Sequence, residues 1–374
     1  MVNADSAGYY LVSPAGIPNY GDELIAATWL RHLARIAPDV DVVLDCIGPQ
    51  AAEERLRALH PRARFHNVLW QLCVTHWSPE PARTAAAVAA AVGAGGAGGG
   101  LDALRRARVV HLLGGGFIND IWAPFAGLLA GITTAVRHSG GLAAMTGQGL
   151  YPPAGGDAAL IRSLTDGFAV VDVRDEASAG LLGTGPGTCT ADDVFLGFGP
   201  HLLDTRDDVP EVMVSLQSLL SDTGPEELAA FAAKTVREWG AQRVGLLECA
   251  PDQDGEVLRA ARAALPGARL YTLAEVMAHG LPARPGQAWL TTRFHPHLVA
   301  AAAGACGAAV SIKRDYYGTK HRSLTAVGSN WELLEALEVP ARPGAGGYRP
   351  EALARLTAAK RAVADRIYPG PAAR

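Results

Sequence analysis

Short runs of β-branched and aliphatic residues alternate with stretches whose apolar positions recur at helical spacing, and few folds accommodate that rhythm over most of a chain. The run YYLVSP at 9–14 is followed by a helix-patterned stretch at 22–36, and the run DVDVVLDCIG at 39–48 by a charged helix at 51–60. After Arg64, Phe65 and His66 the pattern weakens. It resumes with runs at 107–116, 142–149 and 168–175, separated by helical stretches at 124–140 and around Ile161, then passes through a short helix ending at Leu182 to an edge-like segment at 187–196. A polar, proline-ended stretch at 201–210 reads as a linker. Beyond it the alternation starts afresh, with runs at 212–217, 243–250, 269–273, 288–293 and 307–312. Such alternation builds parallel sheets covered by helices on both faces. Because 374 residues exceed one ordinary core, two α/β domains with a cleft between them are expected. Residues 68–100 end in the Ala/Gly-rich stretch 85–100 and read as a flexible surface insertion with no core of its own.

Composition excludes several function classes. An apolar fraction of 49% with only 19% charged residues describes a well-buried globular chain. A net charge of -4, with no interleaving of basic and aromatic residues, gives no reason to expect nucleic acid. Five cysteines, odd in number and widely spaced, fit reduced core thiols and a reducing compartment. No basic-then-apolar leader opens the sequence and no apolar run approaches ~18 residues, so a cytoplasmic chain without a transmembrane segment is expected. Residues 341–374 hold seven Arg or Lys against two acids. A solvated helix face explains that excess; contact with anionic lipid or phosphate, and so peripheral contact with a lipid-linked acceptor, is the sharper reading.

Ligands of doubly wound sheets sit beyond the carboxyl ends of the strands, and five loops there carry polar residues. In the first, Asn19, Gly21, Asp22 and Glu23 turn into a helix; acids in a first turn complement the helix dipole without further function, but Asn19 and Gly21 are left unexplained by that. Gly114, Gly115 and Gly116 follow an apolar run and let backbone N–H groups approach a ligand, though a bare tight turn also uses them. Neither G-x-G-x-x-G at that loop nor a P-loop anywhere supports nucleotide phosphate binding of those types. Gly147, Gln148 and Gly149 form a third loop of the same character. Arg174 closes a run just before an acidic helix start, as a fork for carboxylate or phosphate or as the partner of a neighbouring acid. Last, Arg293, Phe294, His295, Pro296 and His297 lie at a strand-to-helix junction, where a histidine can move a proton near neutral pH. Two histidines at i and i+2 do not share a helix face, and no HExxH or CxxC accompanies them, so no metal is expected. Downstream, Tyr316, Tyr317, Gly318, Thr319 and Lys320 place another cation after a strand.

Taken in order, these loops resemble the motifs of the polysaccharide pyruvyl transferase family. Asn19-Tyr20-Gly21-Asp22-Glu23 is similar to its N-x-G-D-E opening, residues 114–120 to its GGG loop, and Gly147-Gln148-Gly149 to its G-Q-G turn. Val173-Arg174-Asp175 with Ser178, Thr190-Ala191-Asp192-Asp193, and Arg293-Phe294-His295 follow in the family's order. The resemblance implies two Rossmann-like domains facing a central cleft, glycosyltransferase B-like, expected here at 1–200 and 201–345 with a helix at 346–374 returning to the N-terminal domain. It also implies transfer of a pyruvyl group from phosphoenolpyruvate to two hydroxyls of a glycosyl acceptor as a cyclic ketal, with no cofactor. His295 and Arg293 are then the catalytic candidates, and Arg174, Asn19, Gly21, Asp22, Gly115, Gly116, Gln148 and Lys320 the substrate-binding ones, with Asp22, Asp252 or Asp254 available to assist the acceptor hydroxyl. The chain departs from the family pattern at Gln217, where Arg is common, at Asp193, where Pro is common, and at 68–100. Two other readings compete: a nucleotide-sugar-dependent glycosyltransferase, and a non-catalytic binding protein on the same scaffold.

Overall fold

Strand β1 (Tyr9–Val12) is buried along its whole length, as its unbroken YYLV run requires of a strand covered on both faces. It pairs in parallel with β2 (Val42–Asp45), which continues to β3 (Ala63–His66). On its other side lies β4 (Val109–Leu112), followed by β5 (Leu142–Gln148) and β6 (Val170–Val173). The order β3-β2-β1-β4-β5-β6 reverses direction between β1 and β4. Adjacent crossovers there leave on opposite faces, so their loops splay and open a crevice at the carboxyl ends.

The same order recurs in the second sheet. Strands β7 (Val212–Ser215), β8 (Val244–Leu247) and β9 (Arg269–Tyr271) run outward on one side. Strands β10 (Ala288–Thr291), β11 (Cys306–Val310) and β12 (Glu332–Leu334) run outward on the other. The order is β12-β11-β10-β7-β8-β9, all parallel, with β7 and β10 flanking the reversal. Two Rossmann-like sheets flanked by helices are therefore present, as the alternation requires. The three-residue β12 left no sequence signal, because its Glu332 breaks any apolar run.

This computed structural model describes residues 8–95, 99–183, 188–206, 208–313 and 318–369. They form two compact units: Met1–Ile17, Asp22–Gly197 and Leu356–Arg374 in the first, Pro18–Gly21 and Phe198–Arg355 in the second.

The stretch at 68–100 differs from the expected surface insertion. Helices Leu69–Thr75 and Pro81–Ala94 place Leu69, Trp70, Cys73, Val88 and Val92 in the core of the first unit. Alanine keeps the second helix thin, and two glycines on the facing helix Ala126–Ser139 let it come close. A Cβ on Gly131 would lie 2.6 Å from Leu69 Cδ2 and 3.1 Å from Val88 Cγ1. Low complexity here marks close helix packing. Residues 96–98 lie outside the described residues.

The C-terminal helix Pro350–Ile367 is amphipathic, with Leu356, Val363, Ala364 and Ile367 buried and Arg355, Arg361 and Arg366 exposed. One of its cations is on the buried face. The Lys360 ammonium donates to Asp172 Oδ2 at 2.5 Å and to Asp193 Oδ1 at 3.0 Å, all three side chains being buried. Asp193 also accepts from Trp29 Nε1 at 2.8 Å and Thr146 Oγ1 at 2.6 Å. His111 links Thr146 to the Tyr368 hydroxyl, each contact 2.9 Å. Burial pulls the Lys360 pKa down, but Asp172 and Asp193 outweigh it and the net shift is upward. The departure at Asp193 is thus a counter-ion for Lys360. The cysteines are free thiols, four buried and Cys189 half-buried, and among the described residues no single helix is long and apolar enough to cross a membrane.

Candidate active site

In the first unit the loops after β4 and β5 are joined backbone to backbone. Gly149 N donates to Gly115 O at 2.8 Å and Gly115 N to Gly147 O at 3.4 Å. Gly115 sits at φ +155°, where a Cβ would strike the Phe117 ring, which accounts for glycine at that position. Gly114 N donates to Asp193 Oδ2 at 2.9 Å, and Asn119 Nδ2 ties down Gly116 O at the same distance. Gln148 is wholly buried, and its amide nitrogen donates to Leu113 O. It braces β5 against the end of β4 from below. Glu23 is not a solvated first-turn acid either: it is buried, accepting from Gly16 N at 3.0 Å and Arg55 at 2.6 Å. Asp22, beside it, is half-buried.

Arg174 follows β6 and lies buried across the Gly147 to Gly149 loop. A Cβ on Gly149 would fall 2.8 Å from its Nε and Nη2. Asp192 at 3.6 Å and Asp175 at 4.0 Å flank the guanidinium. Asp175 also caps the helix Glu176–Leu182 by accepting from Ser178 N, and Ser178 Oγ accepts from Leu150 N, each at 2.8 Å. Asp175 and Ser178 together thus tie the strand-end arginine to the loop after β5.

In the second unit the loops at the sheet reversal carry Arg293 and His295. Thr291 Oγ1 accepts from Arg293 N at 2.9 Å, and Thr292 Oγ1 accepts from Gln217 N at 2.8 Å, tying the end of β10 to the loop after β7. Arg293 is the N-cap residue of the helix Phe294–Ala302. Its guanidinium donates to buried Asp254, whose other oxygen accepts from Cys249 N and Ala250 N, each at 2.9 Å. Asp254 was a candidate to assist an acceptor hydroxyl. The structure corrects this: both its oxygens are turned inward, anchoring Arg293 and the loop after β8, while Asp252 is exposed on the same helix.

His295 is half-buried in the first turn of that helix, its ring directly against Gly21. A Cβ on Gly21 would lie 1.9 Å from His295 Nδ1. Gly21 itself is held by Asn19, whose Oδ1 accepts from Gly21 N at 3.0 Å, and Tyr20 N donates to Cys249 O at 2.8 Å. The structure therefore brings together Asn19, Gly21, Arg293 and His295 in the second unit. Gly115, Gly116, Gln148 and Arg174 come together in the first. Lys320 is half-buried in the first turn of the helix Thr319–Ala326, and Tyr316 and Tyr317 lie outside the described residues. Cys249, 3.4 Å from Ser215 Oγ, sits near Arg293, but burial pushes its thiol up to about 12, which leaves it protonated and a poor nucleophile. Among the described residues no group of three His, Cys, Asp or Glu side chains is placed to hold a metal ion.

Comparison with known proteins returns a family model described as polysaccharide pyruvyl transferase, matching residues 19–246. Curated protein sequences offer no match. Among solved structures, a putative UDP-N-acetylglucosamine 2-epimerase from Listeria monocytogenes aligns over 96% of this chain and 89% of its own, at 12% identity and a TM-score of 0.52. MnaA from S. aureus, solved with UDP, aligns over 97% of this chain and 90% of its own, at 10% identity and a TM-score of 0.55. At such identities the likeness is one of fold alone.

Proposed function

Because this chain belongs to the polysaccharide pyruvyl transferase family, we propose that it moves a pyruvyl group from phosphoenolpyruvate to two hydroxyls of a sugar-containing acceptor. In that reaction one hydroxyl oxygen bonds to C2 of the enol and gives up its proton to a base, while C3 takes a proton and becomes a methyl group. Phosphate then leaves C2 with the C–O bond electrons, and the second hydroxyl closes the cyclic ketal, its proton passing to a base. His295, half-buried beside a fixed cation, is the donor of the proton to C3. Arg293 and Arg174 are the candidate anion-binding guanidiniums of the reaction. Asp254 fixes the plane of Arg293 before any ligand arrives, so less orientation is lost on binding.

The observation that supports this reading most directly is the packing of the His295 ring on Gly21, next to Arg293 anchored by Asp254. The test is incubation with phosphoenolpyruvate and a panel of glycosides, read by phosphate release and by the mass of the ketal. His295→Ala is expected to lower kcat by roughly 10²–10⁴, and full turnover in that variant overturns the role of His295. A rise in melting temperature with sugar nucleotides and none with phosphoenolpyruvate would favour glycosyl transfer instead.

A further inference from the structure

Two histidines that the transfer chemistry does not use lie directly behind the Arg293 turn. We propose that His321 and His297 are positioning residues, a buried relay of fixed proton direction that holds the Thr292 carbonyl and with it the turn carrying Arg293 and His295.

Hydrogen-bond valence fixes the direction. His321 Nε2 lies 3.3 Å from Thr292 O, a carbonyl that can only accept, so Nε2 carries the proton. A neutral imidazole has a single N–H, which leaves His321 Nδ1 an acceptor. His297 Nδ1, 3.1 Å away, must then donate. Its Nε2 in turn accepts from the Ser329 hydroxyl at 2.9 Å. Ser329, His297, His321 and Thr292 are all fully buried, so no solvent competes for these bonds. Trp331 lies 4.5 Å from the His297 ring at 14°, holding its plane.

Both rings are neutral at physiological pH. Burial lowers His321 to about 4, with the Lys320 charge acting in the same direction, and burial with His321 lowers His297. Protonating His321 would point two N–H groups at one another across the 3.1 Å contact, and protonating His297 would turn an N–H on the Ser329 oxygen from which its Nε2 accepts. Thr292 is gripped from the opposite side by Ser215 O, which accepts from Thr292 N at 2.9 Å, and by Gln217 N. Removing the His321 bond leaves that turn fixed on one side only, immediately before the reacting pair, where small displacements are costly.

The experiment has two arms, and only the kinetic arm rests on the pyruvyl transfer reading. In ¹⁵N-histidine spectra of the full chain near pH 7.5, His321 is expected as the neutral Nε2–H tautomer and His297 as the Nδ1–H tautomer. The reverse assignment, or a charged ring at either position, overturns the relay even if no acceptor is ever found. In the kinetic arm, His321→Leu is expected to lower kcat roughly 10–100-fold with KM for phosphoenolpyruvate little changed. His321→Gln, which keeps an N–H for Thr292, recovers most of it. Equal kcat per folded molecule in wild type and His321→Leu overturns the proposal. Should His321→Leu not fold, the tautomers in the wild-type chain decide it.

Discussion

A single methyl group at position 21 would occupy the space of the His295 ring, since the Cβ would stand 1.9 Å from Nδ1. Gly21 lies in the first turn of the helix Tyr20–Ile36 and needs no left-handed backbone, so alanine there suits the helix and displaces only the ring. Gly21→Ala is expected to cost roughly 10–100-fold in kcat while the melting temperature stays near wild type. Unchanged turnover would show that the placement of His295 is immaterial. Arg293, His295 and Gly21 were legible in the sequence because polar or glycine residues at a strand's carboxyl end stand out from their apolar surroundings. Their neighbourhood was not, because no local pattern joins a residue at 21 to one at 295. Asp254 was hidden for a different reason: an acid in the first turn of a helix is what the dipole favours anyway, so nothing set it apart as the anchor of Arg293.

Among elements, the C-terminal helix shows how far composition can mislead. Its basic excess reads as a solvated face, and for Arg355, Arg361 and Arg366 it is one, but Lys360, one to six residues from these, is wholly buried between two carboxylates. The bond from Gly147 N to Asp172 Oδ2 at 3.1 Å and that from Gly114 N to Asp193 make the same pair of acids the support of both glycine loops. Lys360→Met leaves two buried carboxylates without their cation, and about 3–5 kcal/mol of destabilisation is expected in urea unfolding. A loss under about 1 kcal/mol would mean the acids are neutral or otherwise compensated. The Ala-rich helix Pro81–Ala94 erred the other way: its lack of large side chains, which read as absence of a core, is what lets it lie against Gly127 and Gly131.

At the scale of the whole molecule, two parallel sheets covered by helices could be anticipated from the alternation of strand and helix patterns, while the reversals between β1 and β4 and between β7 and β10 leave no mark in the local sequence. Only the short strands β3 and β12, at opposite edges of their sheets, carried little signal. Stability should follow the buried histidines. Burial lowers His111 to about 3 and, with Arg35 adding to it, His32 to about 4; His321 also falls to about 4. Each contributes stability that is complete above the unfolded value of about 6.5 and is lost as pH falls toward its folded value. Asp45 opposes them, since burial raises it to about 6 against its bonds from Leu69 and Val68, so it gains stability between about 6 and its ordinary value. Three groups against one predict a net fall in unfolding free energy from pH 7.5 to pH 5; a flat or rising profile in denaturant titrations would contradict it. Lys360 also sets an order of events during synthesis. It leaves the ribosome 167 residues after Asp193, which at ~5–20 residues per second is about 8–30 s. Through that interval the nascent first unit carries two acids whose counter-ion does not yet exist, so its interior is completed only after the second unit's residues up to Arg355 have been made.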